Sequence, residues 1–105
     1  MKLNEYQIAA KEFAEYQDKF YPVASLMVEA AELADLFVKP WLRGDNDGFD
    51  PEHKCVLGEA GDVLWNLSVL LADMGIPLEE VAVYNLQKLR RRKTNGTIKG
   101  SGGNR

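Results

Sequence analysis

An all-α fold of four helices is predicted by three features of the sequence. Breakers and capping residues recur at spacings that cut the chain into helix-length segments. No stretch alternates apolar and polar residues with period two for long enough to suggest a sheet. Two segments, 23–38 and 63–72, are aliphatic on nearly every face, as helices covered on all sides are. A chain of 105 residues holds one core, so residues 1–105 read as a single domain: a helical part over about 4–93 and a tail over 94–105.

Each element has its own signals. Asn4 is a candidate cap for a first helix reaching about Phe20, with Tyr6, Ala9, Phe13 and Tyr16 or Gln17 on one stripe. Pro22 suits the first turn of a second helix, which Pro40 is expected to end near Lys39. The segment Leu42–Phe49 is dense in turn residues. Asp50, Pro51 and Glu52 together open a third helix, which runs to about Met74 and stops at Gly75. Pro77, Glu79 and Glu80 open a fourth, reaching about Lys93. The Gly-rich tail beyond it is expected to be mobile without a ligand.

Composition removes several function classes. One cysteine makes no internal disulfide and no multi-Cys zinc site, and one histidine excludes paired-imidazole metallohydrolases. There is no P-loop motif. His53 reads as a first-turn surface residue and Cys55 as a small buried hydrophobe. No charge-free run of 18 apolar residues occurs, and Met1–Glu5 lacks a signal-peptide apolar core, so a soluble cytoplasmic protein with no membrane partner is expected. The two over-apolar helices call for cover that a chain this short does not supply, which predicts self-association.

Charge is divided along the chain. All 16 acids and 6 of the 13 bases precede Leu86; the other seven bases follow it with no acid among them. A basic end on an acidic body makes a poor duplex-binding face and suits a small polyphosphate that shares metal ions with the acids. The acids that matter are two i, i+3 pairs within the two apolar helices, Glu29/Glu32 and Glu59/Asp62. This spacing puts each pair on one helix face. If the two helices pack antiparallel, four carboxylates converge, and their mutual repulsion and desolvation call for a hard divalent cation. Mg²⁺ fits an all-oxygen set, with Mn²⁺ as a substitute, and Ala30, Ala31, Ala60 and Gly61 leave room for it. Asp35 reads as surface, with an auxiliary ligand as the other possibility.

The fourth helix offers the complement. Asn85, Lys88 and Arg92 share a stripe with Arg91 beside it, suited to phosphate oxygens. Lys99 and the glycines around it can wrap backbone amides about a phosphate. Trp65, one turn beyond Asp62, serves either base stacking or the core, and Asn66 must find hydrogen-bond partners, with the site one source of them.

Glu29-x-x-Glu32, 26 intervening residues, then Glu59-x-x-Asp62, together with Tyr21-Pro22, Asn85–Arg92 and Gly96-Thr97-Ile98, resembles the short single-domain MazG-like nucleoside triphosphate pyrophosphohydrolases. Val28 stands where the family motif usually opens with a further glutamate, and Gly103 where similar tails often carry an aspartate; the main liganding glutamate matches Glu29. The resemblance implies a four-helix bundle-like subunit of the all-α NTP pyrophosphatase type, in a homodimer or dimer of dimers. It implies hydrolysis of a (deoxy)nucleoside triphosphate to monophosphate and pyrophosphate. Glu29, Glu32, Glu59 and Asp62 would bind Mg²⁺, Glu32 or Glu59 would take a proton from the attacking water, and Asn85, Lys88, Arg91 and Arg92 would hold the triphosphate. The competing readings are a non-catalytic helical module that binds nucleic acid or nucleotide through the basic segment, and a same-fold hydrolase of another pyrophosphate compound.

Overall fold

A computed structural model of the chain describes residues 1–45 and 49–96, and within them four helices and no strand: α1 (Leu3–Lys11), α2 (Tyr21–Arg43), α3 (His53–Asp73) and α4 (Leu78–Thr94). The expected mobile tail, with Lys99 in it, lies outside the described residues apart from Thr94–Gly96.

α1 ends nine residues earlier than its apolar stripe predicts. The chain tightens after Ala9, where the amides of Glu12, Phe13 and Ala14 bond three residues back. Tyr16 then leaves the helical path because Asp73 of α3 accepts its hydroxyl proton at 2.6 Å. Asp18 shapes the turn before α2, its carboxylate accepting from the Phe20 amide at 2.9 Å, and Pro22 occupies the first turn as expected. Pro40 does not end α2. The helix continues to Arg43, since a proline this close to the end forfeits little of the hydrogen-bond ladder, and Gly44 stops it at φ 73°. α3 begins two residues later than expected, with Glu52 rather than Asp50 at the cap position and no side-chain cap. Gly75 does end it, at φ 74°, with Ile76 N–H bonding back to Leu71 O at 2.9 Å.

α2 packs along α3, α1 packs on α3, and α4 touches α1 and, sparsely, α3, but not α2. A polar linchpin ties three of the helices. Gln7, 6% exposed, donates to Ser68 O and Ile76 O and accepts from Leu78 N–H at 2.8 Å. Asn4, expected to cap its own helix, instead accepts from Glu79 N–H at 2.9 Å, so α1 caps α4.

Very little of this chain is covered by itself. Among the described residues only Ala10, Val69 and Leu78 are buried apolar side chains besides Pro22, while Met27, Trp41, Leu42, Leu57 and Tyr84 are all exposed. The surface is 7996 Å², where a compact monomer of 11.8 kDa exposes about 5,900 Å². The radius of gyration is 16.4 Å against about 13 Å for a compact chain of this length. α3 is long and apolar enough to cross a membrane by length and composition alone.

Candidate functional site

The site is built where α2 and α3 run side by side. Their direction follows from who meets whom: Tyr21, early in α2, shares a pocket with Trp65, whereas Glu32 and Lys39, later in α2, share one with Glu59, earlier in α3. The helices are therefore antiparallel, and the two i, i+3 pairs face each other. One carboxylate oxygen from each of Glu29, Glu59 and Asp62 lies within 4.8 Å of the others. Glu29 and Glu59 are half-buried and Asp62 is exposed.

The electrostatics are unfavourable for the chain alone. Oε2 of Glu29 and Oε2 of Glu59 are out of water with no hydrogen-bond donor. Burial pushes the Glu29 carboxyl above the usual carboxylate range, and the negative charges of Glu32, Asp62 and Glu59 push it further. The Glu59 carboxyl is raised likewise, by burial first and then by Glu32 and Asp62. A cation placed here would relieve two orphaned oxygens among like charges, and an all-carboxylate donor set suits a hard one.

Glu32 stands beside this trio without joining it, exposed, and its charge helps raise the carboxyls of both Glu29 and Glu59. With Asp35, Leu36, Lys39 and Glu59 it lines an open cavity of about 310 Å³. Asp35 pairs with Lys39 across one turn at 3.5 Å.

The remaining expected residues are dispersed. Trp65 is half-buried, donates to Ala10 O at 3.0 Å and meets the Tyr16 ring edge-on, so it joins α1 to α3 while bordering a cavity. Asn66 is buried and donates to Asp62 O at 2.8 Å, which ties it to the site through the backbone; its Oδ1 has no partner. Asn85 and Arg91 are exposed on α4, Lys88 and Arg92 half-buried, with the Lys88 ammonium 6.0 Å from the Tyr84 ring. α4, which carries this stripe, makes no contact with α2 and a sparse one with α3. His53 is on the surface at the start of α3, as expected, but Cys55 is exposed rather than buried, in the first turn of a helix end that no other described helix covers.

Sequence reasoning missed the Lys11–Tyr16–Asp73 cluster. Lys11 Nζ lies 2.5 Å from Asp73 Oδ1 and 3.1 Å from the Tyr16 hydroxyl. No local pattern reveals it, since its members are 5 to 62 residues apart in sequence.

A family model described as the MazG nucleotide pyrophosphohydrolase domain matches residues 21–97. The gene 37 protein of Mycobacterium phage L5 is 36% identical over 115 aligned residues that cover 100% of both chains. No solved structure gives a significant match. The family match takes in α2, α3 and α4, hence all four carboxylates and the basic stripe, and leaves out α1 and the segment 12–20.

Proposed function

The chain belongs to the MazG nucleotide pyrophosphohydrolase family, and from that premise we propose that it hydrolyses (deoxy)nucleoside triphosphates to the monophosphate and pyrophosphate at a divalent cation held by Glu29, Glu59 and Asp62. The observation that carries this reading is the meeting of three carboxylate oxygens within 4.8 Å, two of them from groups with a buried, unpartnered oxygen. Mg²⁺ is the favoured ion because the donors are all oxygen and it retains sites for water and phosphate, with Mn²⁺ accepted in its place. When bound, such an ion lowers the pKa of a water molecule and neutralises charge on the phosphates.

The protein's own groups have separate tasks. Glu32, exposed beside the trio, is the carboxylate positioned to take the proton of the attacking water; Glu59 is the second candidate. Asn85, Lys88, Arg91 and Arg92 hold phosphate oxygens. We propose that the protein works as a homodimer or dimer of dimers, in which the exposed apolar side chains of α2 and α3 are covered by a second copy. The excess surface supports self-association, and the same cover accounts for the apolar α3: Glu59 and Asp62 in its middle fit a protein interface better than lipid.

Pyrophosphate release from a panel of nucleoside triphosphates with Mg²⁺ tests the reading. Glu59→Gln and Asp62→Asn should each lower turnover at least about 100-fold while circular dichroism keeps the wild-type helicity, since each removes a ligand and not core volume. Near wild-type turnover in either variant would contradict the metal assignment. Lys88→Ala should mainly raise KM; an unchanged KM would argue against phosphate contact.

A further inference from the structure

Beside the carboxylates, on the same α2/α3 seam, lies a second cavity of about 440 Å³ lined by Phe13, Tyr16, Tyr21 and Trp65 with Glu15, Gln17 and Asp18. Three of its walls form one aromatic unit. Tyr16 stacks on Tyr21 at 6.0 Å with 18° between the ring planes and meets Trp65 edge-on at 6.4 Å. Trp65 follows Asp62 by one helical turn, about 5 Å along α3, which puts the cavity within the length of a nucleotide from the acidic trio.

The unit is anchored from behind. Asp73 Oδ2 accepts the Tyr16 hydroxyl at 2.6 Å, Asp73 Oδ1 meets Lys11 Nζ at 2.5 Å, and the Lys11 ammonium sits 4.9 Å from the centre of the Tyr16 ring. The Asp73 carboxylate is only 10% exposed. A segment without helix or strand therefore holds an aromatic ring in a fixed plane, with Phe13 left 75% exposed at the mouth. Flat, sequence-tolerant aromatic walls are what a nucleobase stacks on, and an anchored ring loses little freedom when it does.

We propose that this cavity takes the base of the substrate, with Tyr16, Tyr21, Trp65 and Phe13 as its walls and Lys11 and Asp73 as the positioning residues that fix Tyr16. The assignment rests on the nucleotide-hydrolase reading and extends it to a part of the chain that the family match leaves out. It divides the substrate physically: the carboxylates take the phosphate end, and the 12–20 segment takes the base.

The test uses Trp65 as the reporter, in full-length protein carrying Trp41→Phe, since Trp41 is exposed at the far end of α2 and away from both cavities. With Mg²⁺ present, nucleoside triphosphates should quench Trp65 fluorescence, and inorganic tripolyphosphate, which has no base, should not. In steady-state hydrolysis Tyr16→Ala and Asp73→Ala should raise KM for nucleotides about tenfold with kcat within about twofold. Asp73→Asn, which keeps an acceptor for the Tyr16 hydroxyl, should recover most of that loss. Inhibition by tripolyphosphate should be the same in all of them. Equal quenching by tripolyphosphate and nucleotide, unchanged nucleotide KM in Tyr16→Ala, or a matching loss of tripolyphosphate inhibition would each overturn the base pocket. If wild-type protein releases no pyrophosphate yet nucleotides alone quench Trp65, the pocket stands and the hydrolase reading falls.

Discussion

Glu59 opposes the metal-free fold, because its buried Oε2 faces other carboxylates and no donor. Glu59→Gln should therefore raise the thermal midpoint of metal-free protein and abolish the further rise that Mg²⁺ gives the wild type; thermal scans with chelator and with added Mg²⁺ check both. Asp73 behaves in the opposite sense. Hydrogen bonds from Lys11 and then Tyr16 hold its carboxyl below the ordinary value of 3.8, and the bond to Asp73, followed by that to Tyr16, raises Lys11 above 10.5. The carboxylate's contribution is present above its unfolded pKa and lost as pH falls through the lower folded value. That of the ammonium is present below 10.5 and lost as pH rises through the higher folded value. Across the neutral range the staple is intact, so Asp73→Ala should cost about 1 kcal/mol at pH 7, the exposure of Lys11 to water keeping the figure small. Urea unfolding at neutral pH and near pH 2 should show that gap closing in acid.

At the scale of the element, punctuation chemistry was legible and partnership was not. Gly75 stops α3 because a left-handed φ of 74° costs an L side chain and not glycine. Gly75→Ala meets no atoms, so its penalty is conformational alone, about 1 kcal/mol by chemical denaturation. Asn4 looked like the cap of its own helix, since an Asn before an apolar stripe has that chemistry. Its carbonyl oxygen was in fact free to satisfy a donor of α4, 75 residues away, which a local pattern does not reveal. Gln7 is the same lesson in stronger form, a polar residue near the apolar stripe that closes three backbone groups. Gln7→Ala should cost about 2–3 kcal/mol, since it strands a buried N–H and two carbonyls, and should loosen α4 first, as amide hydrogen exchange at its N-terminal turn would report. The premature end of α1 has the same origin: the stripe Tyr6, Ala9, Phe13, Tyr16 is helical in period, but Tyr16 is worth more to Asp73 and Trp65 than to another turn of helix.

On the scale of the whole molecule, the open shape is the dominant fact. Among the described residues Met27, Trp41, Leu42, Leu57 and Tyr84 all stand in water, an apolar surface that a second copy would cover. Sedimentation should return a dimer or larger species at micromolar concentration, and Met27→Lys, which sets a charge on the exposed apolar side of α2, should shift it toward monomer with a lower thermal midpoint. The sequence by itself determined the number of helices, the apolar character of α2 and α3, and the four carboxylates at helical spacing, because period, breakers and side-chain chemistry are local properties. Tertiary structure alone decided that Glu29, Glu59 and Asp62 form the trio while Glu32 stands beside it, that α4 stays off α2, and that Lys11 and Asp73 fix Tyr16 against Trp65. Those outcomes depend on how antiparallel helices slide and rotate against each other, and that is set by packing between residues far apart in the chain.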